Sequence, residues 1–215
     1  MSHDPCARIG VPLLLAAALA FPSVGTAQQP AQPAQAPKPA PKPARPKPAP
    51  AAPAPAAQAP AAPAVGGVQP TLLGMFGDWG AYTAAPGGKK MCFALAKPTS
   101  SQTNPPGRPR DPAFLFVSTR PGEKVKDEVS VIIGYGFKPN SEATLEIGGA
   151  SYTMYTQGDG AWVKNAAEEA RLVDAMRKGS DATIKGGSAR GTATTDVFSL
   201  KGLAQALDRV GQDCR

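Results

Sequence analysis

The chain has 215 residues, a formal net charge of +7 and a single histidine, His3, which precedes a hydrophobic segment. Histidine is the usual general base near neutral pH, the usual partner of a nucleophilic serine or cysteine, and the commonest metal ligand. If export removes that segment, the mature protein has no imidazole. We therefore predict no catalytic, cofactor-binding or metal-binding residue.

Residues 1–27 have the pattern of a secretory signal. Arg8 precedes the apolar run IGVPLLLAAALAF, which is shorter than the roughly 20 residues needed to span a bilayer. The small residues Gly25-Thr26-Ala27 that follow suit signal peptidase. The alternative is an uncleaved anchor. We predict an exported protein with no transmembrane segment after signal removal.

Residues 28–70 consist mainly of alanine, proline and glutamine, with four basic residues and no acidic one. They hold 14 of the 25 prolines, and they lack the backbone donors and large apolar side chains of a folded core. We predict a disordered, partly polyproline II tether, which at about 3.1 Å per residue extends on the order of 130 Å at most. Its charge either binds an anionic polymer or keeps the tether soluble.

Residues 71–215 have the length of one ordinary domain. They carry 18 Lys and Arg against 15 Asp and Glu, a net charge of +3, so the basic excess lies mainly upstream. Nucleic-acid binding is therefore not expected.

Two cysteines, Cys92 and Cys214, remain after signal removal. In an oxidising compartment such a pair predicts a disulfide, with two free thiols as the alternative. Closing so long a loop contributes about 5 kcal/mol in the chain-entropy model, as an upper figure.

The domain shows mainly the period-two pattern of β-strands. The loop Gly148-Gly149 predicts a hairpin that pairs Ile147 with Ala150. Residues 114–117 form a short apolar run that can be buried on both faces. Further strands are predicted at residues 76–83, 90–95, 129–135, 182–185 and 192–198.

Two helices interrupt this pattern. Asn165 and Glu168 have the spacing of a capping box, which predicts a helix that ends before Gly179. A second helix begins after Ser199. The expected apolar residues are Ala166, Ala170, Val173 and Met176 in the first helix, and Leu200, Leu203, Leu207 and Val210 in the second. No strand, helix, strand unit repeats, so the pattern favours an antiparallel β-sandwich with two short helices over an α/β fold.

An ordered series of short motifs runs through the domain: Gly77-Asp78-Trp79, Met91-Cys92, Arg110-Asp111-Pro112, residues 129–135 and Ser199-Leu200-Lys201-Gly202. Over residues 73–215 this series resembles the invasion-associated locus B family. The resemblance implies an immunoglobulin-like β-sandwich in a protein of the periplasm or cell surface of a Gram-negative bacterium. Some members of that family are linked to entry into host cells. The resemblance carries over no catalytic residue.

The connection formed by residues 98–112, PTSSQTNPPGRPRDP, is the best candidate for a partner contact. A loop of that length is either functional or disordered. Arg108 and Arg110 can pair with a carboxylate or phosphate of an unidentified envelope or host-cell component. The alternative is a stiff, solvated loop without a partner.

Two classes of function stay open. The favoured one is a non-enzymatic envelope or cell-surface binding module that contributes to host-cell interaction or invasion. The other is a periplasmic envelope hydrolase that uses a Ser-Lys pair or paired carboxylates, since this chemistry needs no histidine. An enzyme should show a concave pocket where such side chains converge.

Overall fold

The structure is a computed structural model that describes residues 62–215. The predicted signal, residues 1–27, lies outside the described residues, as do residues 28–61 of the predicted tether. The last residues of that tether, 62–70, lie against the domain: Ala62 is buried, and Val65 forms a β-bridge with Val68. Thr71, the predicted start of the domain, begins the first strand.

Residues 62–215 form eleven antiparallel strands and two α-helices, which confirms the mainly β fold predicted from the sequence. The strands are β1 (Thr71–Phe76), β2 (Trp79–Ala84), β3 (Met91–Ala96), β4 (Ser100–Asn104), β5 (Phe114–Arg120), β6 (Val125–Ile132), β7 (Glu142–Ile147), β8 (Ala150–Gln157), β9 (Gly160–Val163), β10 (Asp181–Gly187) and β11 (Ala193–Ser199). The helices are α1 (Ala166–Lys178) and α2 (Leu203–Asp213).

All eleven strands belong to one hydrogen-bonded sheet in the order β1-β2-β3-β5-β6-β9-β8-β7-β10-β11-β4. The sheet folds over, so that Trp79 Nε1 on β2 donates to Ser199 O on β11 at 2.9 Å. The predicted sandwich is confirmed, and its two layers are halves of one continuous sheet. We call β1, β2, β3, β5 and β6 the first half, and the remaining strands the second half.

One apolar core lies between the halves. It contains Trp79, Leu115 and Val131 from the first half, and Leu145 and Ile184 from the second. Because alternate side chains of each strand point to opposite faces, both halves contribute a row to the same interior. The prediction that residues 114–117 are buried on both faces is confirmed.

The two helices close the core. Helix α2 packs on β1, β2 and β3 and is tied to β3 by the Cys92–Cys214 disulfide, with a Cα–Cα distance of 5.9 Å. Of the predicted apolar residues, Leu203, Leu207 and Val210 are buried in α2, and Leu200 is buried but precedes the helix; α2 also buries Ala206. Helix α1 buries Leu172, Val173 and Met176, whereas the predicted Ala166 and Ala170 are exposed. That part of the prediction is wrong, because all the buried residues of α1 lie at position 172 or beyond.

Local signals in the sequence set two further features. The Gly148-Gly149 hairpin has the predicted register, with Ile147 opposite Ala150. At the start of α1, Asn165 Oδ1 accepts a hydrogen bond from the Glu168 backbone N–H at 2.7 Å, which confirms the cap.

The halves meet at a short seam. Strands β6 and β9 pair only from Ser130 to Ile132 on the β6 side. The adjacent Val129 N–H instead donates to Glu169 Oε1 of α1 at 2.8 Å. Burial raises the pKa of the Glu169 carboxyl, and this hydrogen bond acts in the opposite direction. The side chain thus satisfies a backbone donor where the sheet leaves one unpaired.

Candidate functional site

The segment of residues 98–112 contains a strand that the sequence did not predict. Ser100–Asn104 forms β4, which pairs with β11 from Ser100↔Val197 to Asn104↔Ala193. Its sequence, SSQTN, is polar throughout, so it lacks the alternation from which strands are predicted. The prediction of a loop is therefore wrong for these 5 residues.

Strand β4 is an edge of the sheet. It pairs with β11 on one side, and no other strand within residues 62–215 pairs with it. Its sequence has no charge and no proline, and its register with β11 is continuous. The opposite edge, β1, has an irregularity between Leu72 and Gly74. Since charges, prolines and bulges are what protect edge strands from pairing with another chain, β4 is the less protected edge.

Arg110 points inward. Its guanidinium makes a bidentate ion pair with Asp196, in which Nη1 lies 2.7 Å from one carboxylate oxygen, and it also donates to Ile133 O at 3.0 Å. The Arg110 side chain is 11% exposed and that of Asp196 is 0% exposed. The carboxylate that Arg110 binds therefore comes from its own chain.

Neighbouring contacts hold the connection at this point. The Asp111 N–H donates to Gly134 O at 3.0 Å. Gly134 has φ of 79°, and a Cβ there would lie 2.0 Å from Asp111 O, so only glycine permits this approach. Beside it, Tyr135 and Thr194 share a hydroxyl hydrogen bond of 2.7 Å, and burial raises the pKa of the Tyr135 phenol.

Arg108 has the opposite environment. Arg108 is exposed. Its backbone N–H donates to Thr103 Oγ1 at 3.2 Å, so the chain turns back toward β4 at this point. Among the described residues its guanidinium has no hydrogen-bond or ion-pair partner. The structure thus places one predicted residue at the surface and the other in the interior. The sequence Arg-Pro-Arg contains nothing that distinguishes them.

An open groove of about 470 Å³ lies between the β7–β8 turn and the start of β10. It is polar, and its lining includes Glu146, Ser151, Ser180 and Asp181. Glu146 is engaged by Lys185 at 2.8 Å. In the part of the chain that the structure describes, no three His, Cys, Asp or Glu side chains are placed to hold a metal ion.

Comparison with known families identifies the family to which this domain belongs. Residues 79–211, more than half of the chain, match the family described as Invasion associated locus B (IalB) protein. The chain belongs to this family. The IalB match begins at the first residue of β2 and ends within α2, so it includes β4 and the Arg110–Asp196 ion pair.

A solved structure, described as the crystal structure of invasion associated protein b from Bartonella henselae, is similar to this IalB chain. The two share 16% sequence identity with a TM-score of 0.45, over 65% of this chain and 94% of that chain. No curated protein matches the chain. Within residues 62–215, neither IalB helix is long and apolar enough to span a membrane.

Proposed function

We propose that this IalB protein is an exported, non-enzymatic binding module of the cell envelope or cell surface. The observation that carries the proposal is the exposed edge of β4 with Arg108 beside it. The partner is an envelope or host-cell component that presents an extended peptide segment with a carboxylate. Family membership supports a role in interaction with host cells.

The chemistry of the edge supports a peptide partner. On the free side of β4, backbone N–H and C=O groups are available to an added strand, which is a common mode of peptide recognition. A carboxylate on that strand can pair with the Arg108 guanidinium through charge-assisted hydrogen bonds.

In this proposal Arg110 is a positioning residue. Its ion pair with Asp196 fixes the end of the connection against the interior, 2 residues after Arg108. A binding surface held in place loses less conformational entropy on association than a mobile loop. Of the two arginines predicted to contact a partner, Arg108 makes the contact in this proposal, and Arg110 positions the segment.

Export and the tether complete the proposal. The signal-like residues 1–27 direct the chain to the envelope, and the proline-rich segment holds the domain away from its attachment point. The alternative, an envelope hydrolase, needs a free Ser-Lys pair or paired carboxylates. Two of the lysines, Lys164 and Lys185, are engaged by Glu142 and Glu146 at 2.7 and 2.8 Å, which disfavours these two as the base of a Ser-Lys pair.

The test uses the full mature chain with Arg108→Ala, and with Arg171→Ala as an exposed control on α1. Binding to fractionated envelope and host-cell membranes is measured as an apparent Kd. Arg108→Ala should weaken binding by about tenfold, because about 1.4 kcal/mol of charge-assisted bonding is lost. Its Tm should stay within a few degrees, since exposed substitutions change stability by less than about 0.5 kcal/mol.

Gln102→Lys tests the edge itself, because a charged side chain on an edge strand discourages pairing. Equal binding by wild type, Arg108→Ala and Gln102→Lys would remove this surface from consideration. Turnover of peptidoglycan, ester or peptide substrates, abolished by a single Ser, Lys or carboxylate substitution, would establish the hydrolase instead.

A further inference from the structure

The β10–β11 turn lies at the end of the sheet where β4 ends. Ala193 begins β11 and pairs with Asn104, the last residue of β4. The turn that precedes β11 contains Arg190, and its Gly191 N–H donates to Ser188 O at 2.9 Å. Arg190 therefore lies near the end of β4, although the two are far apart in the sequence.

Two further basic residues lie at this end. Arg108 is attached to Thr103 of β4 by the backbone hydrogen bond described above. The Lys138 N–H donates to the oxygen of Gly187, the last residue of β10, at 3.0 Å. Arg108, Lys138 and Arg190 are exposed, and among residues 62–215 none of their side chains has an ion-pair or hydrogen-bond partner. We call these three residues the basic cluster.

Few carboxylates oppose the basic cluster. Asp111 follows Arg108 by 3 residues and is exposed. Asp159 lies in the β8–β9 turn, which is on the far side of β7 from β4. Glu142, at the start of β7, is engaged by Lys164 at 2.7 Å. In the part of the chain that the structure describes, the three positive charges near the end of β4 therefore outweigh the Asp111 carboxylate.

The other end of β4 has a different balance of charge. Asp181 pairs with Ser199 there, and the Lys201 N–H donates to Ser199 Oγ at 3.2 Å. The Asp78 N–H donates to Lys201 O at 3.1 Å, which adds a second carboxylate beside one lysine. Lys97, which precedes β4, lies over an aromatic ring of the first half at 5.7 Å from the ring centroid. The positive charge is therefore concentrated where β4 ends.

We propose that the partner of the β4 edge is an acidic peptide, in which a block of carboxylates precedes the stretch that pairs with β4. This inference rests on the proposed function and specifies the partner. All neighbouring strands in the sheet are antiparallel, and antiparallel pairing is the more stable per residue, so the added strand runs antiparallel to β4. Residues before its paired stretch then lie beyond Asn104, beside the basic cluster.

The spacing of strands sets the length of the block. A strand added to β4 lies about 10 Å from β11, at about 4.8 Å per strand spacing, so long side chains on it can approach Arg190 in the turn before β11. Each residue of the peptide advances about 3.3 Å, and three acidic residues therefore cover about 10 Å past the end of β4. The guanidinium groups of Arg108 and Arg190 can bind carboxylates in bidentate geometry, whereas Lys138 contributes a point charge.

The experiment measures the Kd of three synthetic peptides for the full mature chain by fluorescence anisotropy at low ionic strength, where exposed charge pairs are strongest. The peptides are EEESTVTVT, QQQSTVTVT and STVTVTEEE, each labelled at the end away from its three-residue block. EEESTVTVT should bind about tenfold more tightly than QQQSTVTVT, because it adds three exposed ion pairs worth about twofold each. STVTVTEEE should bind like the neutral peptide.

Substitutions in the basic cluster separate the acidic block from the paired stretch. Arg190→Ala and Lys138→Ala should each weaken binding of EEESTVTVT by about twofold and leave the Kd of QQQSTVTVT unchanged. Asp111→Asn should tighten binding of EEESTVTVT, because it removes a like charge. The exposed control Arg171→Ala on α1 should change neither Kd.

The outcomes distinguish this inference from the function on which it rests. Equal Kd values for EEESTVTVT and QQQSTVTVT, both weakened by Gln102→Lys, would overturn the acidic block and leave the edge as the binding site. Tighter binding of STVTVTEEE than of EEESTVTVT would show that the block follows the paired stretch, against the proposal. Binding of no peptide, or binding that Gln102→Lys does not weaken, would refute the edge itself and the inference with it.

Discussion

The two halves of the sheet share one core but differ on their outer sides. In the first half, β2, β3 and β5 carry an outer apolar cluster of buried side chains, which consists of Tyr82, Phe93, Leu95, Phe114 and Phe116. In the second half, a row of polar side chains crosses five strands. The row consists of Thr153, Thr144, Lys185, Thr195 and Gln102. An apolar outer surface must be shielded from water, whereas an outer surface with polar side chains can face water.

The halves differ at the inner side as well. The buried ion pair of Arg110 with Asp196 lies on the inner side of β11, the strand that pairs with the edge strand β4. A charge inside the protein is tolerated only with a partner that satisfies it. The second half therefore contains a specific polar contact near its edge. The first half is stabilised by apolar packing on its inner side and on its outer side.

The largest effect is expected from breaking that ion pair. Asp196→Ala leaves the Arg110 guanidinium nearly buried without its carboxylate, which should lower the free energy of unfolding by about 3–5 kcal/mol. Urea unfolding followed by circular dichroism measures it. The control is Asp174→Ala on the exposed side of α1, expected within about 0.5 kcal/mol. A loss below about 1 kcal/mol for Asp196→Ala would mean that the interior of the second half does not depend on the pair.

A pair of matched substitutions on the outer sides comes next. Phe93→Ala, in the outer apolar cluster, should lower the free energy of unfolding by about 3 kcal/mol or more, as expected for a buried phenylalanine. Thr144→Ala, on the polar row, should cost less than about 0.5 kcal/mol. The same urea measurement compares them. Similar losses in the free energy of unfolding for the two variants would show that the outer sides of the two halves do not differ in their contribution to stability.

The smallest effect concerns the seam, and it depends on pH. Burial raises the pKa of Glu169, so the folded protein keeps this proton to a higher pH than the unfolded chain. Wild type should therefore lose stability relative to Glu169→Gln as pH rises from the usual glutamate range through the raised pKa. Glutamine keeps an oxygen to accept from Val129 N–H but does not titrate.

The measurement is Tm against pH for wild type, Glu169→Gln and the neighbouring control Glu168→Gln. Glu168→Gln should lose stability over this window as wild type does, because it keeps the Glu169 carboxyl. If the wild-type and Glu169→Gln curves were parallel, the raised pKa expected for the Glu169 carboxyl would be wrong.

Much of the fold could be predicted because its signals are local. The Gly148-Gly149 turn sets a register in which a slip of one residue would expose the apolar side of the hairpin. Asn165 begins α1 because its side chain accepts from the backbone N–H of Glu168. The apolar run of residues 114–117 predicts burial on both faces of β5. In the structure, Leu115 and Val117 belong to the core between the halves, and Phe114 and Phe116 belong to the outer apolar cluster.

The sequence by itself determined the β fold, both helices, the Cys92–Cys214 bridge and the family, since each depends on short spacings, residue type or an ordered series of motifs. Only the tertiary structure decided that SSQTN is a strand, because β11 supplies its hydrogen bonds and its own side chains carry no pattern. Only the tertiary structure separated Arg108 from Arg110, because Asp196 lies 86 residues away along the chain and is brought beside Arg110 by the folding of the sheet.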